Sequence, residues 1–280
     1  MENIVVGVDD SAASRSALAW VARRCATHAT DVDVVRVVGR VGAHREAAHA
    51  MLARAERLLQ ESAPGQTVHS HLAEGGVARA LGELSAGADL LVIGVDPAHP
   101  VRAALRGWLP VRVIARTHAP LCIVPAGWVP RPGHRVTVGW EDDLSSTEAL
   151  AFAATEAVGS DGRLCVVHAW HLPEPAADGA VALLVRPDHV LQEHRELLDA
   201  AVQTLERRFP TLHVEAELTR TSAAEALAHH SETASMTVIG THRDGVLAGG
   251  YLGSVAQDLL WRTGCPVVVV PSSSFPPRGH

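Results

Sequence analysis

Three strand-like ends carry residue types suited to holding a phosphorylated ligand. In the first, Asp9 leaves the apolar run Ile4-Val5-Val6-Gly7-Val8, and Glu141 leaves the matching run Val136-Thr137-Val138-Gly139-Trp140. A carboxylate in that place can accept hydrogen bonds from a ribose or a base. Asp and Ser there also cap helices, and for Asp9 and Glu141 both readings stay open. For Asp10, Ser11 and Asp143 capping is the better reading, and Ser145 with Glu148 has capping-box spacing. The second end is Gly240, followed by Thr241-His242-Arg243. The third is Gly253-Ser254, opening Val255–Arg262, in which Val255, Leu259 and Leu260 share one helical stripe. Backbone N–H groups and the helix dipole attract an anion at such a start. A glycine lets a phosphate approach the backbone, although plain capping explains a lone Gly-Ser equally well.

Composition narrows the chemistry. The chain has 280 residues and no lysine, all 24 basic side chains being arginine. This excludes a Walker-A phosphate loop, a protein kinase, and Schiff-base or pyridoxal phosphate catalysis. Any phosphate recognition falls to backbone N–H groups, hydroxyls, helix termini, histidine and arginine. A net charge of -7 and 4% aromatic residues argue against a nucleic-acid partner. No stretch reaches the roughly 18 apolar residues of a membrane span. The N-terminus opens directly on a strand-like run, so a cytoplasmic protein is expected.

Other reactive residues form no recognisable motif. Cys25, Cys122, Cys165 and Cys265 lie far apart without a CxxC pair, and read as small buried hydrophobes. The 17 histidines include His69 and His71 on one strand face, the adjacent His229 and His230, and His44 and His49, but no zinc pattern. Arg23-Arg24 and Arg207-Arg208 read as solvated helix ends. There is no G-x-S-x-G elbow and no assignable Ser/His/Asp triad, so no catalytic residue is expected.

The elements that position these residues occur twice. The first-strand run and Ala17-Leu18-Ala19-Trp20 recur at an offset of 132, the latter as Ala149-Leu150-Ala151-Phe152. Leu91-Val92-Ile93-Gly94 and Ala119–Pro125 recur at an offset of 146, as Thr237-Val238-Ile239-Gly240 and Cys265–Pro271. The 14 additional residues fit Leu172–Val185, a Pro/Ala/Gly-rich stretch without a counterpart. The halves join through the Pro/Gly-rich Ala126–Gly133, and Ser272–His280 reads as a loose tail. Apolar runs at Ile4–Val8, Val32–Val38, Val68–Leu72, Leu90–Val95 and Leu121–Val124 suit strands buried on both faces. Helical patterns at Ala12–Ala26, Ala43–Glu61, Val77–Ser85 and a segment ending near Thr117 separate them. The second half copies this order, its long helix running Pro187–Phe209. Alternation of this kind predicts doubly wound parallel α/β sheets, with ligands at the carboxyl ends of the strands.

The order Gly240-x2-Arg243-x9-Gly253-Ser254, the following Cys-Pro-Val-Val-Val-Val-Pro, and the opening Ile-Val-Val-Gly-Val-Asp-Asp-Ser resemble the universal stress protein family. The resemblance covers nearly the whole chain, as domains at 1–127 and 134–273. It implies two tandem doubly wound α/β domains, each a five-stranded parallel sheet flanked by helices (adenine nucleotide alpha-hydrolase-like). It also implies ATP, with or without Mg2+, bound by Asp9, Gly94, Glu141, Gly240, Thr241, His242, Arg243, Gly253, Ser254 and Val255. The family pattern G-x2-G-x9-G-(S/T) is altered in both halves. Arg243 replaces the middle glycine and Glu141 the first acid in the second half; Pro97, which has no N–H, and Trp108 after Gly107 interrupt the first. The resemblance implies a non-enzymatic stress-response regulator with a protein partner. Its alternatives are a nucleotide-free member or a weak ATPase. Family domains pair through their last strands, so the halves are expected to form a pseudo-dimer within the chain, and a homodimer stays open.

Overall fold

The computed structural model of the chain describes residues 1–39, 45–97, 109–171, 186–241 and 254–272. The first half runs β1 (Glu2–Gly7), α1 (Ala12–Cys25), β2 (Thr30–Val38), α2 (Arg45–Ser62), β3 (Thr67–Glu74), α3 (Val77–Leu84), β4 (Leu90–Val95), α4 (Leu109–Ile114) and β5 (Leu121–Pro125). The second runs β6 (Arg135–Gly139), α5 (Leu144–Gly159), β7 (Arg163–Ala169), α6 (Pro187–Arg208), β8 (His213–Thr219), α7 (Ala223–Ser231), β9 (Met236–Thr241), α8 (Ser254–Arg262) and β10 (Val267–Pro271). Leu172–Val185, the unmatched stretch, lies outside the described residues.

The two halves share one sheet. Its order is β3-β2-β1-β4-β5-β10-β9-β6-β7-β8, with parallel pairs inside each half. Only the β5–β10 junction is antiparallel, and there Cys122 stands opposite Val268, its own equivalent under the 146-residue repeat. The pairing through last strands is therefore present, and the two five-stranded sheets are continuous.

Central strands are buried on both faces, as the apolar runs predict: Ile4, Val5 and Val6 are fully covered. Edge strand β3 differs, with half-exposed or exposed residues throughout, because it has a strand on one side only. One apolar layer packs α1, α2, α5 and α6 against the sheet, through residues such as Leu18, Leu52, Leu150 and Leu198. The other packs α3, α4, α7 and α8, through Leu81, Val113, Leu227 and Leu259. Both layers run across the junction between the halves.

Arg24 ties the halves together on the first layer. Its Nε and Nη2 donate to Glu2 at 2.8 Å, while Nη1 and Nη2 donate to Glu156 at 2.7 Å. The side chains of Arg24 and Glu156 are only 9% and 13% exposed. Burial works against the Arg24 charge, but the hydrogen bonds from Glu156 and Glu2 outweigh it and hold the guanidinium above its ordinary pKa. Among the described residues, no helix is long and apolar enough to cross a membrane.

Candidate functional site

The crevice of each half opens where β1 and β4, or β6 and β9, run side by side and their connections leave in opposite directions. This is the switch point at which open α/β sheets bind ligands. The first-half crevice, about 130 Å3, brings Asp9 and Gly94 together with Arg36. The second, about 140 Å3, brings together Glu141, Gly240 and Val255, with Trp140 and Ser145 on its wall. Thr241 is buried at the end of β9. Ser254 is the first residue of α8. His242, Arg243 and Gly253 lie outside the described residues, as do Gly107 and Trp108.

Gly94 and Gly240 are set by packing. A Cβ on Gly94 would stand 2.1 Å from the Ala13 carbonyl oxygen, and one on Gly240 would stand 2.4 Å from that of Ser145. The first turn of α1 or α5 rests on the strand there, and glycine alone permits it. These positions need glycine whether or not a ligand is bound.

The acidic residues behave differently in the two halves. The Asp9 N–H donates to Ser14 Oγ at 2.9 Å, and Asp9 Oδ1 accepts the Ser11 N–H at 2.9 Å. Ser11 caps α1 by accepting the Ser14 N–H at 3.0 Å. One oxygen of Asp9 is thus engaged in the turn. Asp10 does not cap; its carboxylate lies 3.6 Å from Arg36 Nη2. In the second half Asp143 is the cap, its Oδ1 accepting from the Ser146 N–H at 2.7 Å and the Ser145 hydroxyl at 2.9 Å. The Ser145–Glu148 capping box does not form. Ser145 is already inside the helix, one residue past its start at Leu144. Glu141 is exposed, and among the described residues its carboxylate makes no hydrogen bond.

Sequence reasoning missed the groups that brace these strand ends. Arg36 and His168 are equivalent under the 132-residue repeat. Arg36 Nη1 donates to the Val8 carbonyl at 3.3 Å, and His168 Nδ1 to the Trp140 carbonyl at 2.9 Å. A carbonyl only accepts, so His168 carries its proton on Nδ1. In the neutral pair, His168 Nε2 then accepts from His194 Nδ1, 2.8 Å away on α6. Burial, with His168 beside it, lowers the His194 pKa below 6.5, while Glu193 opposes the shift. Trp140 lies edge-on to His168 at 5.2 Å, Trp170 lies 5.5 Å from His194, and the Arg220 guanidinium lies 5.2 Å from the Trp170 ring. No sequence signal marks the pair, since its members stand 26 residues apart on a strand and a helix. Among the described residues, no cluster of three His, Cys, Asp or Glu is placed to hold a metal ion.

The family described as Universal stress protein family matches residues 1–125 and 133–271. Universal stress protein Rv1996 of Mycobacterium tuberculosis is 26% identical over 300 residues, covering 95% of this chain and 94% of that protein. A universal stress protein from Archaeoglobus fulgidus has the same fold, with a TM-score of 0.73, 16% identity and 97% of both chains covered. A universal stress protein solved in complex with cAMP matches 45% of this chain and 98% of its own, at 22% identity and a TM-score of 0.39. With matching domains on both sides of the linker and one sheet built from them, the chain belongs to the universal stress protein family, as two of its domains in tandem.

Proposed function

We propose that the chain is a cytoplasmic stress-response regulator that binds ATP or a related adenine nucleotide in its second half. The observation that carries this reading is the meeting of Glu141, Gly240 and Val255 in one crevice beside the start of α8. The exposed Glu141 carboxylate has acceptor capacity for a ribose or base. The α8 N-terminus supplies N–H groups and a favourable dipole for phosphate, with Gly253 and Ser254 alongside in sequence. Binding shifts conformation or partner choice and does not drive rapid turnover.

Calorimetric titration of the purified chain with MgATP tests this. Heat of binding, or a co-purifying adenine nucleotide, is expected; the absence of both would overturn the proposal. Gly253→Val is expected to weaken binding far more than Gly107→Val, and equal losses would assign the wrong half. Phosphate release above a blank, lost in Glu141→Gln, would favour the weak ATPase.

A second reading is a nucleotide-free member acting through a regulatory protein. It is favoured by crevices of about 130 and 140 Å3, below the ~300 Å3 at which small-molecule pockets commonly begin. Pro97, Trp108 and Arg243 point the same way.

A further inference from the structure

We infer that the groove between the two halves is a second binding site, for a small planar aromatic molecule carrying one negative group. The groove encloses about 390 Å3, within the ~300–1,000 Å3 usual for such sites. It is larger than either switch-point crevice, and it sits at the other end of the second half's strands, beside His134 before β6 and Ser235 before β9. Its remaining walls are the C-terminal turns of α1 and α5 and the linker residues from Trp128 onward.

The linker makes this groove a built feature. The Gly127 N–H donates to Ser16 Oγ on α1 at 3.0 Å, anchoring the linker to the first half. Arg131 Nη1 donates to the carbonyls of Ser231 and, at 3.3 Å, Ala234, anchoring it to the second. The chain crosses between halves once, so the linker walls the groove on one side of the pseudo-two-fold alone.

The lining sets the ligand class. Trp128, half-buried, supplies aromatic surface, while Trp20 is buried with the Arg24 guanidinium 5.6 Å from its ring centre. Arg24 with its two partners Glu2 and Glu156 carries one net negative charge, and Arg23 and Arg131 against the carboxylate of Asp161 offset it. The groove is therefore near neutral on a chain of net charge -7, with its accessible cation at Arg23. Arg23 is exposed and has no ion pair among the described residues. His28 and His134 add ring nitrogens. A ring stacked against tryptophan, with its carboxylate or sulfonate on Arg23, meets this arrangement. A triphosphate brings excess negative charge toward Asp161 and Glu156.

Fluorescence titration of the full chain with anilinonaphthalene sulfonate, an aromatic anion, tests the site, with the neutral phenylnaphthylamine as comparison. Saturable binding is expected for the anion, with energy transfer from tryptophan, and saturating MgATP should not displace it. Arg23→Glu, a surface change compatible with folding, should weaken the anion about tenfold or more, the loss of one charge-assisted contact, and Trp128→Ala should weaken it too. No saturable binding, unchanged affinity in Arg23→Glu, equal affinity for the neutral probe, or displacement by MgATP would each overturn the proposal.

Discussion

Gly240 lies directly against the backbone of Ser145: a Cβ added to it would stand 2.4 Å from the Ser145 carbonyl oxygen and 2.6 Å from its carbonyl carbon. Both contacts are to main chain at the start of a helix, so neither side can yield by turning a side chain. Gly240→Ala is expected to cost about 2 kcal/mol or more in urea unfolding, and Gly94→Ala at least as much. Gly39, where an added Cβ meets nothing within 4 Å, should tolerate alanine to within about 0.5 kcal/mol. Equal effects at the three positions would contradict the packing account.

Removing Glu156 strands part of a buried cation. Breaking a buried ion pair by deleting one partner costs about 3–5 kcal/mol, and because Glu2 still engages Arg24, Glu156→Ala should cost about 2–3 kcal/mol. The Arg79–Glu83 pair, with side chains 77% and 62% exposed, provides the contrast: Glu83→Ala should leave the unfolding midpoint unchanged. A larger loss at Glu83 than at Glu156 would reverse the ranking of the two pairs.

The lowered pKa of His194 makes stability depend on pH with a definite sign. The unfolded chain takes up a proton near pH 6.5, while the folded chain resists it until a lower pH. Between those two values the unfolded state binds more protons, so stability falls as pH falls through that window and levels off below it. His194→Gln should flatten this part of the curve. An unchanged slope between pH 7 and 5 would remove His194 as its source.

The four cysteines should be silent toward a thiol reagent in the folded protein. All are buried and free, and burial pushes each thiol pKa above its ordinary value of 9.0. A thiolate is the reactive form. Ellman titration should therefore count none of the four rapidly under native conditions and all of them in guanidinium. A fast-reacting native thiol would show an opening of the fold at that cysteine.

The repeat was the most legible part of the sequence. Matched runs such as Leu91–Gly94 and Thr237–Gly240 mark equivalent strands, and parallel strands linked by helices leave few topologies. The Ser11 and Asp143 caps were legible for a local reason, since a cap bonds within three residues of itself. Gly94 and Gly240 were visible as glycines at strand ends. Their packing against Ala13 and Ser145 was not, because that contact depends on how closely a helix settles on the sheet. His168–His194 and Arg36–Val8 arise only when strands and helices are brought together in space. The groove near Trp128 escaped notice because the linker reads as a mere boundary.

Arg24 and Glu156 stand 132 residues apart, the offset of the repeat itself. In a pair of identical subunits, the two-fold would bring each residue toward its own copy, and Arg24 would face Arg24. Fusion of the halves removed that constraint and let opposite charges settle on the two sides of one contact. Either half paired with its own copy would carry like charges into the junction, whereas the other half brings the opposite charge, so the contact favours the mixed pair.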